Sequence, residues 1–538
     1  MTSRLLLCVA VAVSLFANQA FAQNKIDEMS LDRWKLLRET ERHQMNVAEK
    51  YYRERQYKIA LGEYEKFSTL YEKSEGASFA QLKWGICQIH LKKINTAISD
   101  GFQTVIDYWP ESPEASIAAF YIGRCQKETG EVKKAKKSHL LVVSKYPESL
   151  AAVYSLSDLL DIADVETDVE GKVATWRKLV YEIKRTPGDA NSLCVQASIQ
   201  LATHYFSVGQ PVDGVASIGT TYKDAQFPYH LWYYCRTPIG QLAADPKTKE
   251  KADKTADACA AAIREKIPTD VSKEEDKKLA REWAYYAADV LAYSRRDDKV
   301  IEAYQAMLRV YGQDDTTLQR FGDWYKSILK YDDARKLYGQ FTVRPEGLSQ
   351  IAWSFVQQQK YDDAVAHYRQ AAALDSQNQA KWNEAIAVAY RHGSRWKEAI
   401  DAFTENLKID TANTEKWLWL IGHTQREGGL YKEAIGTFRQ CTNFPENTKW
   451  MAWCHRQLKE WNESIILYNQ VTSSAPDAPW ALFQIAQVRE ASGDKEAAIK
   501  AYQTVCKKFP KDGHAAQAHA HLQTVYKINV TLGGAAEE

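Results

Sequence analysis

Residues 493–502 read Gly-Asp-Lys-Glu-Ala-Ala-Ile-Lys-Ala-Tyr, and the place of Ala498 in that run decides the fold. A small residue, Ala486, stands twelve positions before Ala498, and an aromatic one, Tyr502, stands four after it. The same triplet recurs upstream as Ala452, Ser464, Tyr468, then Gly422, Ala434, Phe438, then Ala387, Ala399, Phe403. It continues as Ala352, Ala364, Tyr368 and as Gly322, Ala334, Tyr338, with a weaker copy at Ala288, Val300, Tyr304. The central members, from Val300 to Ala498, lie 34, 30, 35, 35, 30 and 34 residues apart. A sustained period of this length marks a repeat array.

The pattern has a physical cause. Each unit reads as two antiparallel helices joined by a short turn. The small residues fall where the helices cross, because a larger side chain there would push the backbones apart. The aromatic four residues on lies one turn further along the same helix face, where it fills the gap toward the next unit. A further aromatic precedes the central residue by three at Tyr331, Tyr361, Trp396, Tyr431 and Trp461. One helix pair cannot bury its apolar face alone, so stacking must supply the core. Composition agrees: hydrophobic residues make up 45%, and only 25 Gly and 14 Pro interrupt 538 residues.

In its small–small–aromatic pattern the chain closely resembles the tetratricopeptide repeat family, which implies an all-α solenoid. Residues 281–513 hold about seven such units. Three more stand near the amino terminus, with central residues Ala60, Ala97 and Ala135 preceded by Ala48, Gly85 and Gly123. Their spacing is 37 and 38, and they close on Tyr108-Trp-Pro-Glu-Ser112 and Tyr146-Pro-Glu-Ser149. This longer variety is similar to the repeats of exported bacterial proteins such as the periplasmic cell-division coordinator and outer-membrane assembly lipoproteins. The amino-terminal solenoid is expected over 41–228, its last two units degenerate, with Ala174 as one central residue. Residues 229–280, which include His230-Leu-Trp-Tyr-Tyr-Cys235, are expected to form an irregular helical connector. A leading helix is expected over 23–40, and a capping helix with a mobile tail over 514–538.

The amino terminus reads as an export signal. A basic start, Met1 to Arg4, precedes an apolar run from Leu5 to Ala17, and Ala20-Phe21-Ala22 places small residues where a signal peptidase reads. Residues 1–22 are therefore expected to be removed, giving a periplasmic or secreted protein. The apolar run is too short to cross a hydrocarbon core of about 30 Å as a helix, and no later stretch is long enough. Eight cysteines follow the signal, none of them in a CxxC pair. They are expected to serve mainly as buried, small apolar residues.

Function classes narrow by subtraction. With 70 Lys+Arg against 69 Asp+Glu the net charge is +1, which lacks the basic field of a nucleic-acid binder. No GxSxG elbow, GxxxxGK[ST] loop, HExxH helix or GxGxxG turn occurs, so no enzyme and no cofactor are expected. His514, His519 and His521 are the one histidine cluster, but they read as a solvated face rather than a metal site, and no metal is expected.

In the resembled family the first helix of each unit lines a concave groove. The place one after the small residue holds Trp353, Val388, His423, Trp453 and Gln487, and the place four after holds Val356, Arg391, Arg426, Arg456 and Glu490. Trp419 and Phe483 stand three before the small residue. Trp353, Arg391, Trp419, His423, Arg426, Trp453, Arg456 and Phe483 are thus the candidate partner-binding residues, since Arg beside aromatics gives much contact per rotamer lost. Packing of the Trp between repeats, with solvated Arg, is the alternative. The family's clamp for a carboxyl-terminal peptide needs Lys and Asn where this chain has Gln319, Asp323, Ser349 and Trp353. The reading is a non-enzymatic scaffold of the bacterial envelope that binds proteins or peptides. A carbohydrate- or peptidoglycan-binding accessory and a self-associating structural subunit are the alternatives.

Overall fold

A computed structural model of the chain describes residues 26–184 and 188–533. The expected signal at 1–22 and the last residues of the tail lie outside them. The described residues hold helices and no strand. They divide into two compact units, with the division between Met307 and Leu308.

In the first unit, Ile26 and Asp27 are buried and a single short helix, Leu31–Leu36, leads in. Hairpins follow: Glu39–Arg53 with Tyr57–Leu70, Ala77–His90 with a return helix over 94–108, Pro113–Glu128 with Val132–Lys145, Leu150–Val165 with Val169–Tyr181, and Asp189–Val208 with Pro211–Thr221. The expected connector is a helix pair, Phe227–Ala244 with Lys249–Arg264, packed against Asp189–Val208 and Glu274–Tyr293 of the same unit. Ala174 is exposed, and Thr175 takes the buried place beside it, so the degenerate unit is centred one residue later than its sequence reading.

The second hairpin of this unit shows how tolerant the packing rule is. Its return helix contains a π-helical turn over Ala97–Phe102 between Ile94–Thr96 and Gln103–Tyr108. The extra residue moves the aromatic from four to five places after Ala97. Phe102 is fully buried, and a Cβ on Gly85 would stand 2.7 Å from its ring. In the third hairpin an imidazole fills the same slot: His139 is fully buried, 2.8 Å from where a Cβ on Gly123 would stand.

In the second unit the small residues meet aromatics in the same way. A Cβ on Gly322 would lie 2.4 Å from the Tyr338 ring, and one on Gly422 would lie 2.7 Å from the Phe438 ring. The 30-residue spacings arise because two return helices, Tyr331–Tyr338 and Tyr431–Phe438, are only 8 residues long, against 14 for Tyr361–Leu374 and Trp396–Ile409. Each short helix is followed by a tight loop held by a carboxylate of the helix before it. Asp315 accepts from the Thr342 and Val343 amides at 2.7 and 2.9 Å, and Glu415 accepts from the Thr442 amide at 2.8 Å. Long units close differently. The buried indoles of Trp382 and Trp417 donate to Asp375 and Asp410, each at 3.1 Å.

Hairpin turns recur with one left-handed residue five places before the central residue. These positions include Arg55, Lys92, Gly130, Arg295, Leu329, Gln359, Ser394, Gly429, Lys459 and Gly493. Glycine is the residue without strain in that backbone region, yet most of these positions carry a side chain. All eight cysteines are buried.

Candidate partner-binding strip

Five successive first helices of the second unit carry the strip: Arg344–Gln357, Gln379–His392, Thr414–Glu427, Glu446–Gln457 and Ala478–Ala491. Residues one and four places after each small residue share a helix face, so the stacking of hairpins aligns them. Their side chains connect across units. Arg391 donates to Glu427 at 2.8 Å, and Arg426 donates to the other oxygen of the same carboxylate at 3.3 Å. Arg426 also lies over two indoles, 4.5 Å from the centroid of Trp450 and 5.4 Å from that of Trp453. Arg456 reaches the next helix, donating to Gln487 at 3.2 Å and Gln484 at 3.4 Å.

His423 sits within an aromatic cluster. Its ring is 4.7 Å from Trp419, 4.9 Å from Trp450 and 5.3 Å from Phe438, edge to face in each case. Burial lowers its pKa to about 4; Arg426 and Arg391 add to the drop, and Glu427 opposes it. The imidazole is therefore neutral at pH 7. Trp353, at the start of the strip, is 37% exposed and meets His392 edge-on at 5.8 Å.

Six of the eight candidate residues thus form one half-buried band: Arg391, Trp419, His423, Arg426, Trp453 and Arg456. Trp353 lies beside it. Phe483 does not line it, being buried against Tyr502 and His514 at 5.6 and 5.9 Å in the core of the last hairpins. Sequence reasoning missed Trp450 and Glu427. Trp450 lies three residues before Trp453, one helical turn away, and Glu427 adjoins Arg426 at its helix end. Those neighbours were the available signal.

The band is unevenly satisfied. Three guanidinium groups share one carboxylate and two neutral amides. The Nε atoms of Arg391 and Arg426 are buried and have no hydrogen-bond partner among the described residues. Buried donors are ordinarily paired, and orphaned ones call for an explanation.

The histidines of the final helix are engaged separately. His514 contacts Asp512 at 2.9 Å and His521 contacts Glu490 at 2.9 Å. Among the described residues no three His, Cys, Asp or Glu side chains come together as metal ligands, and no helix is long and apolar enough to cross a membrane.

Family models of the tetratricopeptide repeat match residues 349–413 and, in a second form, residues 118–149 and 480–512. Those residues carry tetratricopeptide repeats. The first match includes Trp353 and Arg391, and the last includes the stretch around Ala498. No curated protein matches the sequence. Among solved structures, the chain is similar to that of the APC/C hetero-tetramer Cut9-Hcn1, at 13% identity, 92% of this chain, 99% of that one and a TM-score of 0.25. It is similar to yeast Tom70 at 12% identity, 91% and 96% coverage and a TM-score of 0.26. A tetratricopeptide repeat protein from Parabacteroides merdae matches 45% of this chain and 93% of its own, at 10% identity and a TM-score of 0.26.

Proposed function

We propose that this protein is a non-enzymatic scaffold of the bacterial envelope that binds acidic segments of partner proteins along the Arg–aromatic strip of its second unit. The observation that carries the reading is the excess of guanidinium groups over carboxylates in a half-buried band, where Arg391, Arg426 and Arg456 share one Glu427 and two Gln side chains. A partner carboxylate satisfies such donors, and charge-assisted hydrogen bonds are the stronger kind. The flanking indoles add contact area at little rotamer cost. Rigid, stacked helices keep the ordering cost of binding on the ligand side. The export signal read at residues 1–22 and the resemblance of the amino-terminal repeats to those of exported bacterial proteins support the envelope.

The test is affinity capture from envelope extract with the signal-processed chain and with the triple variant Arg391→Ala, Arg426→Ala, Arg456→Ala. The expected result is protein capture that oligo-glutamate competes away and that the variant loses about tenfold or more, with its helical circular dichroism unchanged. Equal capture by both chains refutes the strip as the binding surface. Retention of glycan alone, insensitive to oligo-glutamate, moves the assignment to a carbohydrate-binding accessory.

A further inference from the structure

The first hairpins of the first unit and the segment leading into them line a cleft of about 740 Å³, within the range of small-ligand sites. Its walls are aromatic, formed by Trp34, Tyr52, Tyr57 and Phe79, and its floor is charged, formed by Asp27, Glu49 and Lys83. The strip in the second unit has no part in it.

The floor is built and buried. The Lys83 side chain is 3% exposed, stands 3.2 Å from Glu49 and lies 3.5 Å above the centroid of Tyr52. One ammonium group is thus already housed there, on an aromatic face and beside a carboxylate. Asp27 lacks the same completion. It is 9% exposed and accepts only the Tyr121 hydroxyl among the described residues, at 2.7 and 2.8 Å to its two oxygens. A carboxylate offers roughly four lone-pair sites, so most of its accepting capacity is unused. Glu49 sets one oxygen, Oε1, against both Lys83 and the Tyr64 hydroxyl, the latter at 2.5 Å, and its Oε2 has no partner among the described residues. Lys83 is thus paired with Glu49, while Asp27 has no cation within ion-pair distance among the described residues.

We propose that this cleft binds a ligand's basic group, an ammonium or guanidinium, seated on Asp27 against the aromatic walls. Arg53 and Arg55 stand at the mouth, where the carboxylate of a free basic amino acid can lie. A lysine or arginine side chain of a partner peptide offers the same basic group without that carboxylate. An anion is excluded from the floor by Asp27 and Glu49.

The charge state of Asp27 makes the proposal sensitive to pH. Burial raises its pKa to about 6; Tyr121, Lys83 and Arg124 pull it down, and Glu49 pushes it further up. His90, also at the mouth, is held below the ordinary histidine range by burial and by Lys83, Lys92 and Arg55. A basic ligand binds the ionised carboxylate, so acidification through pH 6 opposes it, and protonation of His90 acts in the same direction.

The experiment is titration calorimetry on the full chain with L-lysine, Nα-acetyl-lysine amide and, as the control with no basic group, norleucine in its blocked form, Nα-acetyl-norleucine amide. Expected are binding of one or both lysine compounds at pH 7, none of norleucine, and affinity about tenfold weaker at pH 5, as a pKa near 6 requires. Asp27→Asn is expected to abolish binding while retaining the melting temperature. Binding of the free amino acid assigns the small molecule; binding of the blocked compound alone assigns a peptide side chain. Absence of heat with all three, equal binding of norleucine, or an affinity constant between pH 5 and 7 overturns the proposal. The pH series on the unaltered chain decides the matter even if Asp27→Asn does not fold.

Discussion

Two glycines of one hairpin respond oppositely to the same substitution. Gly422 lies inside Thr414–Glu427 beneath the strip, and Gly436 lies inside the return helix Tyr431–Phe438. Replacing either by Ala favours the helix by about 0.8–1.0 kcal/mol. At Gly436 nothing stands within 4 Å of the new Cβ, so the gain is kept. At Gly422 the Cβ falls 2.7 Å from Cε1 of Phe438 and 2.9 Å from Cδ1 and Cζ. That ring is fully buried, so it must move with its neighbours. Overpacking of this kind costs about 1–3 kcal/mol. The net expectation is stabilisation by about 1 kcal/mol for Gly436→Ala and destabilisation by about 1 kcal/mol for Gly422→Ala, roughly 2 kcal/mol apart. A chain of stacked repeats opens locally, so the assay is amide hydrogen exchange by mass spectrometry on peptides from these two helices. Protection should rise in the first variant and fall in the second. Equal protection, or a rise for Gly422→Ala, refutes the reasoning that the Phe438 ring leaves no room for a Cβ at Gly422.

Further outcomes follow from the same geometry. Burial lowers the pKa of His139 to about 4, with Lys127 and Arg124 adding to the drop and Asp158 opposing it. Between that value and the unfolded value near 6.5 the unfolded chain binds more protons, so stability rises with pH across the window and is lost on acidification. His139→Phe, which restores the aromatic of the other units, should flatten urea midpoints between pH 4 and 7; an unchanged slope counts against it. Leu329 holds a left-handed backbone at φ +61° with its side chain 72% exposed. Leu329→Gly should therefore raise stability by about 0.5–1 kcal/mol in urea unfolding despite the added chain entropy, and a loss refutes it.

The period, the helix pairing and the small–small–aromatic rule were legible because they are local. Every unit repeats them within about 35 residues of itself. Positions 391, 426 and 456 were legible as one face for the same reason. Where a unit departs from the rule, the substitute was not readable. Phe102 arrives one residue late on a π turn, His139 stands in for an aromatic, and Thr175 takes the place read for Ala174. In each case the packing cavity, defined by a neighbouring helix, chooses what fills it.

By itself the amino-acid order determined that helices form, where they turn and which side chains share a face, since these depend on residues a few places apart. The tertiary structure alone decided what those side chains meet. It joined Arg391 to Glu427 and laid Arg426 on Trp450 and Trp453. It withdrew Phe483 into the core and brought Asp27 to Tyr121, 94 residues away. Such contacts depend on the crossing of neighbouring helices, a geometry set by the packing of many side chains at once.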